Sequence, residues 1–235
     1  MDQYRSLDEV RLDQAWVTIG TFDGVHLGHQ AILRPMAAAA HAAGNPAVVV
    51  TFYPNPVVVL RGVQEPMELT PPDERARLMG ALGIDAVVTL TFNRALANQP
   101  AEEFMQGLHR ALGLRQLWVG HDFALGHDRQ GDIPTLQAIG ERLGYRVHVT
   151  GEVLVDGQRI SSRQIRDLVR RGEMRAASRL LGRPYAMQGP VVHGDDRGRQ
   201  LGFPTANVDF PADQIVPAFG VYATWFSSGA DEDSP

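Results

Sequence analysis

Two histidines three residues apart, His26 and His29, open a helical stretch that follows an apolar run and a glycine turn, Val17-Thr-Ile-Gly-Thr-Phe-Asp-Gly-Val-His-Leu-Gly-His-Gln30. A strand that turns into a helix in this way sets the helix's unpaired N–H groups and positive dipole end at the strand's carboxyl edge. Anions bind readily there, phosphate above all. The i, i+3 spacing puts both imidazoles on one face, and Gly28 between them leaves the backbone open to close approach by a ligand. Two such histidines can also ligate a metal, although no third ligand stands near them in the sequence.

Composition narrows the chemistry. The 235 residues include no cysteine and no lysine. Disulfides, thiolate catalysis, cysteine-held metals, a P-loop lysine and a Schiff base are therefore excluded. Phosphate chemistry must rest on arginine, histidine, backbone N–H groups and a metal ion. No nucleophile with a base beside it is evident, which leaves direct displacement at phosphorus, catalysed by positioning and charge stabilisation. The net charge of −5 argues against broad nucleic-acid binding. The chain starts with the polar Met1-Asp-Gln-Tyr-Arg5, and no run approaches the roughly 18 apolar residues of a membrane span. A cytoplasmic protein with no membrane partner is expected.

The elements that must position these residues alternate. Short β-branched runs at Trp16–Ile19, Ala47–Phe52, Ala86–Thr91, Gln116–Gly120 and Arg146–Thr150 are separated by helical patterns, the signature of an α/β fold with a parallel sheet. Helices are predicted over 27–43, with a kink at Pro35, from a Thr70 cap to about Leu82, and over 100–112 and 134–143. Two short strands, 152–155 and 158–160, follow around an Asp156-Gly157 turn, and Ser161-Ser162 caps an arginine-rich helix over 163–171 that a second short helix, 173–181, extends. In a parallel sheet the strands' carboxyl ends carry the ligand. Those ends here are 21–29, 52–56 and the long loop 121–132, with 159–166 arriving later. Helices cease near residue 183, and 186–193, 203–208 and 221–226 read as strands of a small β unit, interrupted at 194–199 and followed by a polar tail, 227–235.

These residues carry a family resemblance. Gly20-Thr-Phe-Asp-Gly-Val-His-Leu-Gly-His29 resembles the signature of the HxGH nucleotidyltransferases, and the wider set resembles prokaryotic bifunctional riboflavin kinase/FAD synthetases. That set comprises Thr51-Phe-Tyr-Pro-Asn-Pro56, Gly120-His-Asp-Phe-Ala-Leu-Gly126, Arg129-Gln-Gly-Asp132 and Arg159-Ile-Ser-Ser162. Beyond the boundary, Gly182-Arg-Pro-Tyr185, Gly189-Pro-Val-Val-His-Gly194, Gly198-Arg-Gln-Leu-Gly-Phe-Pro-Thr-Ala-Asn207 and Gly220-Val-Tyr-Ala223 are similar to the opening of the riboflavin kinase domain.

The resemblance implies a Rossmann-like nucleotidyltransferase domain over 1–182, followed over 183–235 by the beginning of a β-barrel. The implied reaction joins FMN to the adenylyl group of Mg-ATP and gives FAD and pyrophosphate. His26 and His29 would grip the α- and β-phosphates, and Arg159 with Ser162 the leaving pyrophosphate. Gly20, Phe22, Asp23, Gly28 and Arg163 fall to the ATP side, and Asn55, Asp122 and Phe123 to the flavin side. Magnesium enters with ATP, and no protein metal ligand is assigned in the first domain. Asn55 stands where the family usually has histidine, and Arg163 where it usually has a small hydroxyl residue.

In the second domain Thr205 and Asn207 match the family's Mg-ATP residues for phosphorylating riboflavin. The catalytic base of that reaction lies further on in the family, so riboflavin kinase activity is expected to be absent and the open barrel to favour self-association. Alternatives are another HxGH transferase and a non-catalytic flavin- or nucleotide-binding regulator.

Overall fold

A computed structural model describes residues 1–151, 154–155, 157–194, 202–203 and 205–228. The first two residues, 152–153, of the strand expected over 152–155, the turn residue Asp156, most of 194–201, Pro204 and the tail from 229 lie outside the described residues.

Among the described residues six parallel strands form one sheet in the order β1-β4-β3-β2-β5-β6. They are β1 (Asp2–Tyr4), β2 (Trp16–Ile19), β3 (Ala47–Tyr53), β4 (Ala86–Thr91), β5 (Gln116–Gly120) and β6 (Arg146–Thr150). All five predicted strands are present. The sixth, β1, pairs with the edge of β4 from Asp2↔Ala86 to Tyr4↔Val88. Its three residues carry no apolar run, so nothing local marks it; its pairing comes from the neighbour.

The helices are α1 (Leu27–Ala42), α2 (Pro56–Arg61), α3 (Pro72–Gly80), α4 (Arg94–Ala97), α5 (Ala101–Leu112), α6 (Ile133–Leu143), α7 (Ser162–Arg170) and α8 (Met174–Leu181). Helix α1 continues unbroken through Pro35. Helix α2 escapes the sequence pattern because Val57-Val58-Val59 is a β-branched run; the Asn55 side chain caps it by accepting the Val57 N–H at 3.1 Å. Thr70 is not the cap of α3: that helix starts at Pro72 with Pro71 in the capping position, and the Thr70 hydroxyl accepts the Gly24 N–H instead, at 2.9 Å.

Strand β3 shows how the layers form. Val48 and Val50 face one core with α5 and α6, where Phe104, Met105, Leu108, Leu136 and Ile139 are buried. Ala47 and Val49 face the other with Leu33, Met36 and Ala40 of α1 and Met79 of α3. A strand buried on both faces reads as a continuous apolar run, which is why Ala47–Val50 shows no alternation. A third cluster joins α7 and α8 through Ile165, Leu168, Val169, Ala177 and Leu181, and it includes Leu69 and Ile215.

Chain order around β2 sets the place of the site. The chain leaves β2 for β3 and β4 on one side, then crosses back to β5 and β6 on the other. The carboxyl ends of β2 and β5 therefore flank the switch point, where loops splay apart and leave a crevice.

Beyond residue 183 the regular structure is small. Strands β7 (Leu154–Val155) and β8 (Gln158–Arg159) form one antiparallel pair before it, and β9 (Val191–Val192) and β10 (Asn207–Val208) another after it. The strands expected over 186–193 and 203–208 shrink to these two-residue pieces, and 221–226 forms none. A two-stranded ribbon has little to pack against and stays short. Other parts of this region join the first unit: Ile215 is buried in its third core cluster, with Tyr185 packed against that cluster.

Candidate functional site

The turn after β2 is strained and held from several directions. Phe22 and Val25 adopt φ of 46° and 40° on either side of Gly24 at 82°. The left-handed region costs a non-glycine residue about 1–2 kcal/mol, more for a β-branched one, so the surroundings must fix it. They do. Val25 donates its N–H to Phe22 O at 3.0 Å, and the Asp23 carboxylate accepts the Leu69 N–H at 2.9 Å, the Thr70 N–H at 3.1 Å and the Arg166 guanidinium at 2.7 Å. A side chain at Gly24 would meet Leu69 at 2.9 Å.

This anchoring aims the histidines. His26 caps α1, its Nδ1 accepting the His29 N–H at 3.3 Å. The two rings stack with centroids 3.6 Å apart and planes 19° apart, and Phe22 meets His29 edge-on at 5.2 Å. Gly20 leaves room for that phenyl ring: a Cβ there would stand 3.0 Å from it. At Gly28 a Cβ would stand 3.1 Å from the His26 ring, so glycine lets the imidazole lie over the start of the helix.

Both histidines are neutral at pH 7. Burial, then the charges of Arg166 and Arg183, pushes His26 down to about 4. Burial, then the proximity of His26, Arg75 and Arg166, holds His29 well below the usual imidazole range. Because His26 Nδ1 is an acceptor, its proton sits on Nε2, available as a donor. His29 Nδ1 is buried without a partner.

The rings line a cleft of about 300 Å³ whose wall also includes Gly28, Asp122, Arg159 and Ser162. The cleft thus brings together predicted residues from the ends of β2 and β5 and from the start of α7. Arg159 ion-pairs with Asp122 across it, and that contact holds the Asp122 carboxyl below its ordinary range. The loop after β5 is closed by paired bonds between Leu125 and Gly131, at 3.1 and 2.9 Å, and Arg129 donates to Asp122 O at 3.0 Å. Ser161 caps α7 by accepting the Gln164 N–H at 3.2 Å, while Ser162 donates to Asp23 O at 2.9 Å and so ties α7 to the histidine turn.

Other expected site residues stand elsewhere. Asp23 has no exposure and does not line the cleft; its carboxylate is spent on Leu69, Thr70 and Arg166, so it holds the turn from inside. Asn55 is buried as the cap of α2. Phe123 packs partly buried against the core behind β5, and Arg163 is exposed on α7. Thr205 is exposed, and Asn207 lies in β10 against Gly194.

Sequence reasoning placed Arg166 in the 159–166 segment without a role and missed Arg75 and Glu68. Arg166 stands among Ile165, Leu168 and Val169, a charge inside the buried stripe of a helix, and that placement was its signal. Arg75 is 1% exposed and ion-pairs with Glu68 while donating to Thr21 O at 3.0 Å and Phe52 O at 3.3 Å. It stitches the ends of β2 and β3 together. Among the described residues no group of three or more histidine and acidic side chains could hold a metal, and no helix is long and apolar enough to cross a membrane.

Comparison with known proteins agrees with this geometry. The family model for FAD synthetase matches residues 8–164 and that for riboflavin kinase residues 181–233. A bifunctional riboflavin kinase/FMN adenylyltransferase of Pseudomonas fluorescens is 42% identical over 206 residues, covering 87% of this chain and 66% of the relative. That of Escherichia coli K12 is 38% identical over 208 residues, 88% of this chain and 66% of the relative. That of Listeria monocytogenes is 35% identical over 211 residues, 89% and 67%. The chain thus spans about two thirds of the length of these relatives. A crystal structure described as a macrolide-efflux protein from Streptococcus pneumoniae superposes with a TM-score of 0.81 at 30% identity, over 94% of this chain and 72% of that one. With its histidine turn at the switch point of the sheet and the family model running from residue 8 through α6 to the start of α7, the chain belongs to the FAD synthetase family.

Proposed function

We propose that residues 1–182 transfer the adenylyl group of ATP to FMN. A phosphate oxygen of FMN attacks the α-phosphorus of ATP, the bond from that phosphorus to the bridging oxygen breaks, and pyrophosphate leaves with FAD as product. The observation that carries this proposal is the stacked pair of neutral imidazoles at the N-terminus of α1, facing a cleft at the switch point. Neutral rings donate N–H to phosphate oxygens and need no proton transfer, and the first turn of the helix adds backbone donors and dipole. As charge shifts onto the equatorial oxygens, donors already in place stabilise it without reorganisation.

Arg159 and Ser162 are assigned to the departing pyrophosphate. A guanidinium pairs strongly with phosphate oxygens, and Arg159 meets a carboxylate in its place, the Asp122 side chain. On this proposal the triphosphate displaces that partner, and Asp122 with Phe123 and Asn55 turns to the flavin side. Gly20, Phe22 and Gly28 shape the ATP side, and Arg163, exposed on α7, supplies charge at its rim. Magnesium belongs to the substrate as the ATP complex, held by phosphate oxygens. The cytoplasmic setting expected from the sequence is part of the same proposal.

The test is release of pyrophosphate from ATP with and without FMN, comparing the native chain with His29→Ala. FMN-dependent release by the native chain and its loss in the variant are expected; no FMN-dependent release by the native chain overturns the proposal.

A further inference from the structure

A short stretch far beyond residue 183 is built into the first unit. Met67 and Glu68 both donate their N–H groups to Asp213 O, at 3.0 and 2.9 Å, and Ile215 donates to Glu68 O at 2.9 Å, forming a parallel bridge between Glu68 and Gln214. Gln214 is 1% exposed, and its amide reaches Ala186 O at 3.0 Å and Leu69 O at 3.4 Å. Tyr185 donates its hydroxyl to Ile215 O at 2.6 Å. Buried backbone must be paired, so these contacts fix the stretch as firmly as a strand.

From this stretch two lines of contact run to the cleft's elements. Along the first, Asp213 accepts the Tyr53 hydroxyl at 2.6 Å. Tyr53 ends β3 and leads straight into Pro54-Asn55-Pro56, where Asn55 caps α2. Along the second, the bridge holds the backbone of Glu68, whose carboxylate pairs with Arg75. Arg75 in turn donates to Thr21 O and Phe52 O, the residues from which the histidine turn and the 53–56 loop depart. Thr51 also donates to Thr21 O, at 3.0 Å. Both loops therefore hang from one clamp, and the clamp is closed by residues from the far part of the chain.

We infer that Asp213–Ile215 are a positioning strap for the adenylyl-transfer site, fixing through Tyr53 the loop that leads to Asn55 and through Glu68–Arg75 the base of the histidine turn. The inference rests on the adenylyl-transfer proposal for which substrate the loop meets, and on the structure alone for the coupling. The far segment is then a working part of the first unit.

The test compares the native chain with Tyr53→Phe, Asp213→Ala, the double variant, and Asp213→Asn, whose side-chain carbonyl still accepts the tyrosine proton. Losing one hydrogen bond of this kind is expected to raise KM for FMN about fivefold in each of Tyr53→Phe and Asp213→Ala, with kcat and KM for ATP near native. The double variant should be no worse than the weaker single one, because both remove the same contact. Asp213→Asn should restore the native KM. Unchanged KM for FMN, additive effects, or an equal rise in KM for both substrates overturns the strap.

Hydrogen exchange keeps the two proposals apart. The Val57 and Val58 amides, bonded to Asn55, should exchange about fivefold faster in Asp213→Ala and return in Asp213→Asn. Unchanged exchange overturns the strap whether or not the native chain makes FAD. Faster exchange in a chain that makes no FAD keeps the strap and discards the activity.

Discussion

The rings of His26 and His29 lie 3.6 Å apart, centroid to centroid, with the backbone N–H of the second bonded to Nδ1 of the first. On the adenylyl-transfer proposal His26 thus serves both helix and substrate, and the two tasks separate by mutation. His29→Ala leaves the cap intact, so folding stability should hold while FAD formation falls by about 10²–10³ in kcat, the usual cost of removing one charge-stabilising donor. His26→Asn keeps a capping acceptor and shortens the donor's reach. It should fold like the native chain and lose activity comparably. Thermal unfolding and steady-state kinetics on the same samples check both; an active His29→Ala enzyme removes that ring from the mechanism.

Acid should destabilise the protein through the same residue. His26 titrates at about 4 in the folded chain and at about 6.5 when unfolded. Between these values the unfolded chain binds a proton that the folded one refuses, so stability is lost as pH falls from 6.5 toward 4 and is flat above. The shift corresponds to on the order of 3 kcal/mol by pH 4, and His29 acts in the same direction. Urea unfolding at several pH values should show an acid slope that shrinks in His26→Asn. An identical slope in that variant would assign the effect elsewhere.

Much of the site was legible because its parts are local. The turn 20–29, the loop 121–132 and the capped start of α7 each announce themselves by glycines, caps and polar residues at strand ends, and the sheet order brings them together. What holds the turn was not legible. Asp23 looked like a ligand residue because it lies in the motif, but its partners Leu69, Thr70 and Arg166 are 46 to 143 residues away, and no local pattern encodes such contacts. The same holds for β1, an edge strand defined by β4, and for the strap at 213–215, defined by Met67 and Glu68. The strands expected past residue 183 failed in the opposite way: their local pattern is β-like, but the described residues give them little to pair with.

Gly28 tests the packing of the pair. Alanine favours a helix over glycine by up to about 1 kcal/mol, so Gly28→Ala should not unfold the protein. Its methyl would stand 3.1 Å from the His26 ring, which is tight enough to push the imidazole aside. A displacement of about 1 Å in a positioned group can cost up to about 10² in rate. Native-like melting with a depressed kcat is expected, and native kcat in this variant would show that the ring has slack.

Asp122 and Arg159 are both about half exposed, at 55% and 54% of their side-chain surface, and an exposed pair adds little to stability. Asp122→Ala should therefore leave the melting temperature nearly unchanged. On the adenylyl-transfer proposal its effect belongs to binding: with the carboxylate gone, Arg159 meets the triphosphate without first breaking its ion pair with Asp122, and KM for ATP should fall at low salt and converge on the native value as salt screens the charges. A raised KM for ATP at every ionic strength would place Asp122 on the nucleotide side instead.

Asp23 gives the sharpest contrast between an anchor and a ligand residue. Its carboxylate is fully buried, bonded to Arg166 and 3.7 Å from Arg75. Asp23→Asn removes one charge from this group and leaves buried guanidinium charge short of a partner, a change that costs about 3–5 kcal/mol. The turn it holds is strained at Phe22 and Val25, so the loss should also loosen His26 and His29. A large drop in unfolding free energy is expected, with kcat falling even at temperatures where the variant is still folded and KM for ATP changing little. A variant that keeps native stability and shows only a raised KM for ATP would mean that Asp23 meets the nucleotide and that the turn is held without its carboxylate, by bonds such as Gly24–Thr70, Val25–Phe22 and Arg75–Thr21.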